Sequence, residues 1–163
     1  GDVYKRQNLN SFFWLFSLDL KSSKKETQNI ILQWIEKNHM YNSRSWEIDI
    51  VAKRIIAWLS NSKLTYEDGG SDYKDKFNTI IKKQVNHLIN EINRSKWVND
   101  KMIGCASIIL SGLSYRDEKY LNYGLNLLKK ININELKEKI FHHVRKIHIK
   151  RFPYNNFLYP EVD

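Results

Sequence analysis

The chain has little that could cross-link, kink or anchor it: one cysteine, two prolines and six glycines in 163 residues. The single thiol, Cys105, cannot close an internal disulfide, so nothing ties the fold covalently and the redox compartment stays open. Both prolines, Pro153 and Pro160, lie near the end of the sequence, so no helical pattern is broken before them. There is no Gly-rich phosphate loop and no alternating strand pattern. No apolar run approaches the roughly 20 residues of a membrane span. His142, His143 and His148 resemble a metal cluster, but no cysteine or carboxylate stands at ligand spacing, so no metal and no cofactor is expected.

Apolar and aromatic side chains are plentiful. At 42% hydrophobic and 13% aromatic the chain can pack a core of one domain. The net charge of +9, from 27 basic and 18 acidic residues, would suit an anionic partner. Lys, Asn and Ile are abundant together, however, as AT-rich coding sequence produces, and this lowers the weight of the charge.

The organising stretch is Trp46 to Ser60. Ile48, Val51, Ile55, Trp58 and Leu59 recur at steps of three and four and share one face, which must be buried. Arg54 stands four residues before Trp58, within reach of a cation–π stack on that indole. Such an arginine is either a structural clamp or a reader of anions.

Around this helix the pattern predicts others. Leu9 to Leu20 is densely apolar, and Ser23 with Glu26 forms a capping box ahead of a stripe of Ile30, Ile31, Trp34 and Ile35 ending near Asn38. Gly69-Gly70-Ser71-Asp72 breaks the chain before the longest helix, on which Tyr73, Phe77, Ile80, Ile81, Val85, Leu88, Ile89 and Ile92 keep the period. Asn99 can cap a helix from Asp100 to Leu113 whose small residues allow close helix approach, and shorter helices follow at Asp117 to Lys130 and Asn134 to Phe141. Short connections between such helices favour antiparallel hairpins, in a bundle or in an arc of a toroid.

Both ends read differently. Asp2-Val3-Tyr4-Lys5-Arg6-Gln7 matches the translation of a transposon-derived sequencing adapter, so residues 1–7 are set aside as a non-native leader and the helical domain is taken as 8–141. Residues 142–163 lose the helical period, through either a frame slip near Phe141 or a divergent tail.

Trp46, an acidic residue and Arg54-Ile55-Ile56-Ala57-Trp58-Leu59-Ser60, preceded by Ser11-Phe12-Phe13-Trp14-Leu15 and Asp19-Leu20, resemble the N-terminal helical region of heparinase II/III-like polysaccharide lyases over about residues 8 to 141. The resemblance implies an all-α fold of antiparallel hairpins forming an arc of an incomplete α/α toroid, with the rest of the toroid and a β-sandwich in a missing C-terminal part. It implies β-elimination on acidic, uronate-containing polysaccharide, with this fragment inactive alone. An Asn of the family neutralises the uronate carboxylate, and the matching stretch here, Val98-Asn99-Asp100-Lys101-Met102, gives that role to Asn99. Asp100 replaces the motif's His and puts an anion where the substrate's anion would sit. Asn99 also reads as an ordinary N-cap. Arg54, Trp58, Trp46 and His87 are candidate substrate contacts, although His87 also reads as a partly buried structural histidine and most of the five tryptophans as core. The family's Tyr and His cannot be carried to any residue here. The other class is a non-catalytic all-α interaction or nucleic-acid-binding module, which no recognised nucleic-acid motif supports. Periplasm and cytoplasm both remain open.

Overall fold

The computed structural model describes residues 1–19, 21–131 and 140–146. Every regular element among them is helical, so the fold is all-α. The α-helices are α1 (Asp2–Ser11), α2 (Lys24–Asn38), α3 (Ile48–Ser60), α4 (Ser62–Thr65), α5 (Ser71–Glu91), α6 (Val98–Tyr115) and α7 (Glu118–Lys130). A further helical stretch covers 140–146. The rest of the helix expected from Asn134 lies outside the described residues.

Local sequence explains several boundaries. Ser23 caps α2 by accepting the Glu26 amide at 3.2 Å, and Asp117 caps α7 by accepting two amides at 2.9 and 3.1 Å. The α2 stripe is narrower than expected, because Ile30 is exposed while Ile31, Trp34 and Ile35 are buried. α6 ends on Arg116 in the left-handed region at φ 51°, where its N–H and that of Asp117 take up the last carbonyls.

The apolar run from Leu9 to Leu20 is not one helix. α1 stops at Ser11, Phe12 turns into the left-handed region at φ 56°, and a 3₁₀ turn follows over Phe13–Ser17. A bulky residue there is strained. The turn sends the Phe12 ring inward, edge-on to Trp58 at 5.3 Å and to Trp34 at 6.1 Å. These contacts offset the strain. α1 also includes Asp2 to Gln7, and Ser11 is its buried residue.

α3 is the hub. Eight of its thirteen residues are buried, on nearly all sides, as befits a helix with neighbours all round. Trp58 stacks on Phe77 at 5.4 Å while Arg54 reaches Gln84, so α5 runs antiparallel to α3. Trp34 meets Trp58, and Gln28 reaches the carbonyl of Glu67, so α2 is antiparallel to α3 as well. Tyr115 donates to Asn78 at 2.8 Å while Gly104 faces Ile92, which runs α6 back along α5.

The α6–α7 hairpin closes tightly because its seam is small. A Cβ on Gly112 would come within 2.6 Å of the Leu121 backbone nitrogen, and one on Gly124 within 2.6 Å of Ile109. Cys105 Sγ donates to the Gly124 carbonyl across the hairpin at 3.0 Å, while buried Ser107 and Ser111 return their hydroxyls to carbonyls of their own helix at 2.8 Å.

Candidate functional site

The five residues singled out from the sequence fall into three places. Arg54 and Trp58 lie in the core with no exposed surface. The Arg54 guanidinium donates from Nε to Gln84 Oε1 at 2.7 Å, from Nη1 to the Asn10 carbonyl at 2.8 Å and from Nη2 to the Ser45 carbonyl at 2.9 Å. It lies 3.9 Å from the centre of the Trp34 ring, so the cation–π partner is Trp34 and not the expected Trp58. The acceptors on α1, on the loop before α3 and on α5 draw the fork to that side. All three are neutral, and burial pulls the Arg54 pKa well below its ordinary value. Of the two readings left open for Arg54, the geometry is that of the clamp: it ties four segments together and reaches no surface. Trp58 is equally enclosed, with Phe12, Trp34 and Phe77 around its ring and no hydrogen-bond acceptor for its buried Nε1.

Trp46 and His87 lie together at the N-terminal end of α3, and Asn99 lies in the first turn of α6. Trp46 is buried and donates its Nε1–H to the Asn38 carbonyl at 2.9 Å. Half-buried His87 on α5 bonds through Nε2 to the Trp46 carbonyl at 2.9 Å, with the Trp46 and Tyr41 rings 5.2 and 5.5 Å away. A carbonyl only accepts, so that Nε2 carries a proton. Glu47, one residue on, and Asp49 interact electrostatically with Asp100 at the start of α6, and Asp49 also pairs with Lys53 at 3.6 Å. Burial first, and then the Asp49 charge, push the Asp100 carboxyl above its usual range, while Lys53 and a hydrogen bond to Ser95 pull it down. Glu47 is raised in the same way by burial, Asp49 and Asp100.

Asn99 is exposed and is not the N-cap. α6 begins two residues earlier than expected, with Trp97 in the cap position and no side-chain cap at all. The first amides of an 18-residue helix are therefore left without a side-chain acceptor at the positive end of its dipole. An open depression there is lined by Lys96, Trp97, Val98, Asn99 and Asp100. Trp97 is 73% exposed, whereas Trp34, Trp46 and Trp58 are buried and Trp14 is half-buried. The sequence counts Trp97 only as one of five tryptophans. Its position outside any periodic apolar stripe is the signal that separates it from the core tryptophans.

Among the described residues no group of three or more His, Cys, Asp or Glu could hold a metal ion, and none of the helices is long and apolar enough to cross a membrane. His142 and His143 lie on the exposed 140–146 stretch, and His148 lies outside the described residues.

No family model matches the chain, and no solved structure matches it. A stretch of 39 residues, 24% of the chain, is 46% identical to part of a protein named GTPase HflX from Flavobacterium psychrophilum. That stretch spans 9% of the relative's length, too small a share to carry its fold or activity to this chain.

Proposed function

We propose that the chain is a helical arc contributing one wall of a cleft for acidic polysaccharide, as the N-terminal part of a heparinase II/III-like lyase. The observation that carries this reading is the corner at the start of α6, where a tryptophan 73% exposed stands beside exposed Asn99 and Lys96. A flat indole offers a sugar ring a stacking face. The uncapped amides, the Asn99 amide and the Lys96 ammonium are the groups a uronate carboxylate requires nearby. Successive antiparallel hairpins are also what an arc of an α/α toroid is built from. Asp100 works against the anion, and its raised pKa lessens that opposition as the pH falls. The family's acid and base of β-elimination cannot be carried to any of the described residues, so on this reading the chain binds and does not turn over by itself.

Titration with a uronate oligosaccharide, followed by tryptophan fluorescence, tests this. Trp97→Ala is expected to weaken binding about tenfold, the scale of a lost stacking contact, and Trp97→Phe to restore most of it. Asn99→Ala should also weaken binding while leaving stability almost unchanged, because Asn99 caps nothing. Retention of duplex DNA with a steep salt dependence, and no affinity for uronate polymers, would instead select the nucleic-acid module.

A further inference from the structure

We propose that Tyr41, Lys83 and His87 form a second subsite for the acidic glycan, separate from the corner at Trp97. The inference rests on the glycan reading above and extends it to a part of the chain which that reading does not use. Outside residues 1–7, Trp97 and Tyr41 are the two most exposed aromatic side chains among the described residues, Tyr41 at 66%. A ring so exposed on a loop is ordinarily free to move, but Tyr41 is held from several sides. Two residues before it, the His39 carbonyl accepts a hydrogen bond from the Lys83 ammonium of α5. One residue after it, the Asn42 side-chain oxygen accepts the Arg44 and Ser45 amides at 3.2 and 2.9 Å and closes a turn. The Tyr41 ring itself lies 5.5 Å from that of His87, which is fixed by its bond to the Trp46 carbonyl.

The groups left over at this shelf are those an acidic sugar uses. Lys83 and His87 stand four residues apart on α5 and so share a face. Lys83 is exposed and forms no ion pair among the described residues. An ammonium has three donors, and one is spent on His39, so the others are free for a carboxylate. His87 directs its Nε2–H to Trp46, which leaves Nδ1 of the neutral ring as an acceptor. That nitrogen has no partner among the described residues and is not enclosed, so a sugar hydroxyl can donate to it while the ring face lies on Tyr41. The shelf and the Trp97 corner flank the start of α3. His87 bonds to the residue two before Ile48, and Gly104 of α6 sits against Ile48 itself. α5 and α6 both pack on α3, at helix spacings of about 8–10 Å, so a chain of several sugars can touch both platforms. Asp49 opposes an anion at this end, and Lys53 offsets it at 3.6 Å.

Calorimetric titration of the whole chain with a uronate octasaccharide tests this. Tyr41→Ala is expected to weaken binding about tenfold and Tyr41→Phe to restore most of it. Lys83→Gln is expected to weaken binding and to flatten its dependence on salt, because one carboxylate contact is lost. Both positions are exposed, so the melting temperature of each variant should stay within about 2 °C of the wild type. A Tyr41→Ala variant that binds as the wild type does overturns the proposal, and a loss confined to Trp97→Ala then leaves the corner at α6 standing alone. A loss at Tyr41 with none at Trp97 supports this subsite and sinks that corner. A wild-type chain without affinity for the octasaccharide overturns both.

Discussion

Arg54 shows what a single residue can and cannot disclose from its sequence context. Its spacing from Trp58 announced an arginine beside a buried indole, and that much is correct. Which indole, and which acceptors, depended on Asn10, Ser45 and Gln84, which lie 44, 9 and 30 residues away. No local pattern encodes those distances. Arg54→Ala is expected to cost about 3–5 kcal/mol in urea unfolding, because it opens a cavity and leaves three acceptors without donors. Trp58→Ala should fall in the same range, as other buried aromatic truncations do. A loss below about 1 kcal/mol for either would show that these side chains are not enclosed as described. Arg54→Lys should recover little, since one ammonium cannot satisfy acceptors in three directions.

Helices were legible where one face had to be buried and the other solvated. α5 keeps the helical period over 21 residues, and its buried apolar positions Tyr73, Phe77, Ile80, Ile81, Val85 and Leu88 are those the period selects. The failure came at Leu9 to Leu20, where apolar residues are too dense for a period to show. There the aromatic cluster, through Phe12, decides the backbone. The four-residue α4 has no sequence signal of its own. In the α6–α7 hairpin the small residues announced close approach without naming the partner. Gly112→Ala is expected to cost about 1–3 kcal/mol, because its Cβ meets Leu121 backbone rather than a side chain that can move aside. Arg116→Gly should do the opposite and add about 1 kcal/mol or less by relieving the left-handed φ of 51°. Equal melting temperatures for wild type and both variants would contradict the seam and the cap together.

For the whole molecule, the candidate site was legible as a motif and not as a surface. The sequence nominated Asn99 and its neighbours but could not show that Trp97 stands out of the core or that Arg54 and Trp58 do not, because exposure is set by packing between helices distant in sequence. The same packing assembles Glu47, Asp49 and Asp100 from two helices, and this gives the protein a pH dependence of defined sign. Asp100 has a folded pKa above its unfolded one, so the native state holds more protons between the two and stability falls as the pH rises through that window. Asp68 is the opposite case. Its ion pair with Lys24 at 2.7 Å lowers its pKa, so that stabilisation is present at neutral pH and is lost as the pH falls through the lowered value. Asp68 is largely exposed and Lys24 partly so, and the effect is small. Thermal melts of Asp100→Asn and Asp68→Asn at pH 7 and at about pH 3 separate the two. At pH 7 Asp100→Asn should melt above the wild type and Asp68→Asn slightly below it, and both differences should shrink toward zero in acid. An Asp100→Asn offset that is the same at both pH values would mean that the carboxyl titrates alike in the folded and unfolded chains, and the electrostatic coupling between the starts of α3 and α6 would be wrong.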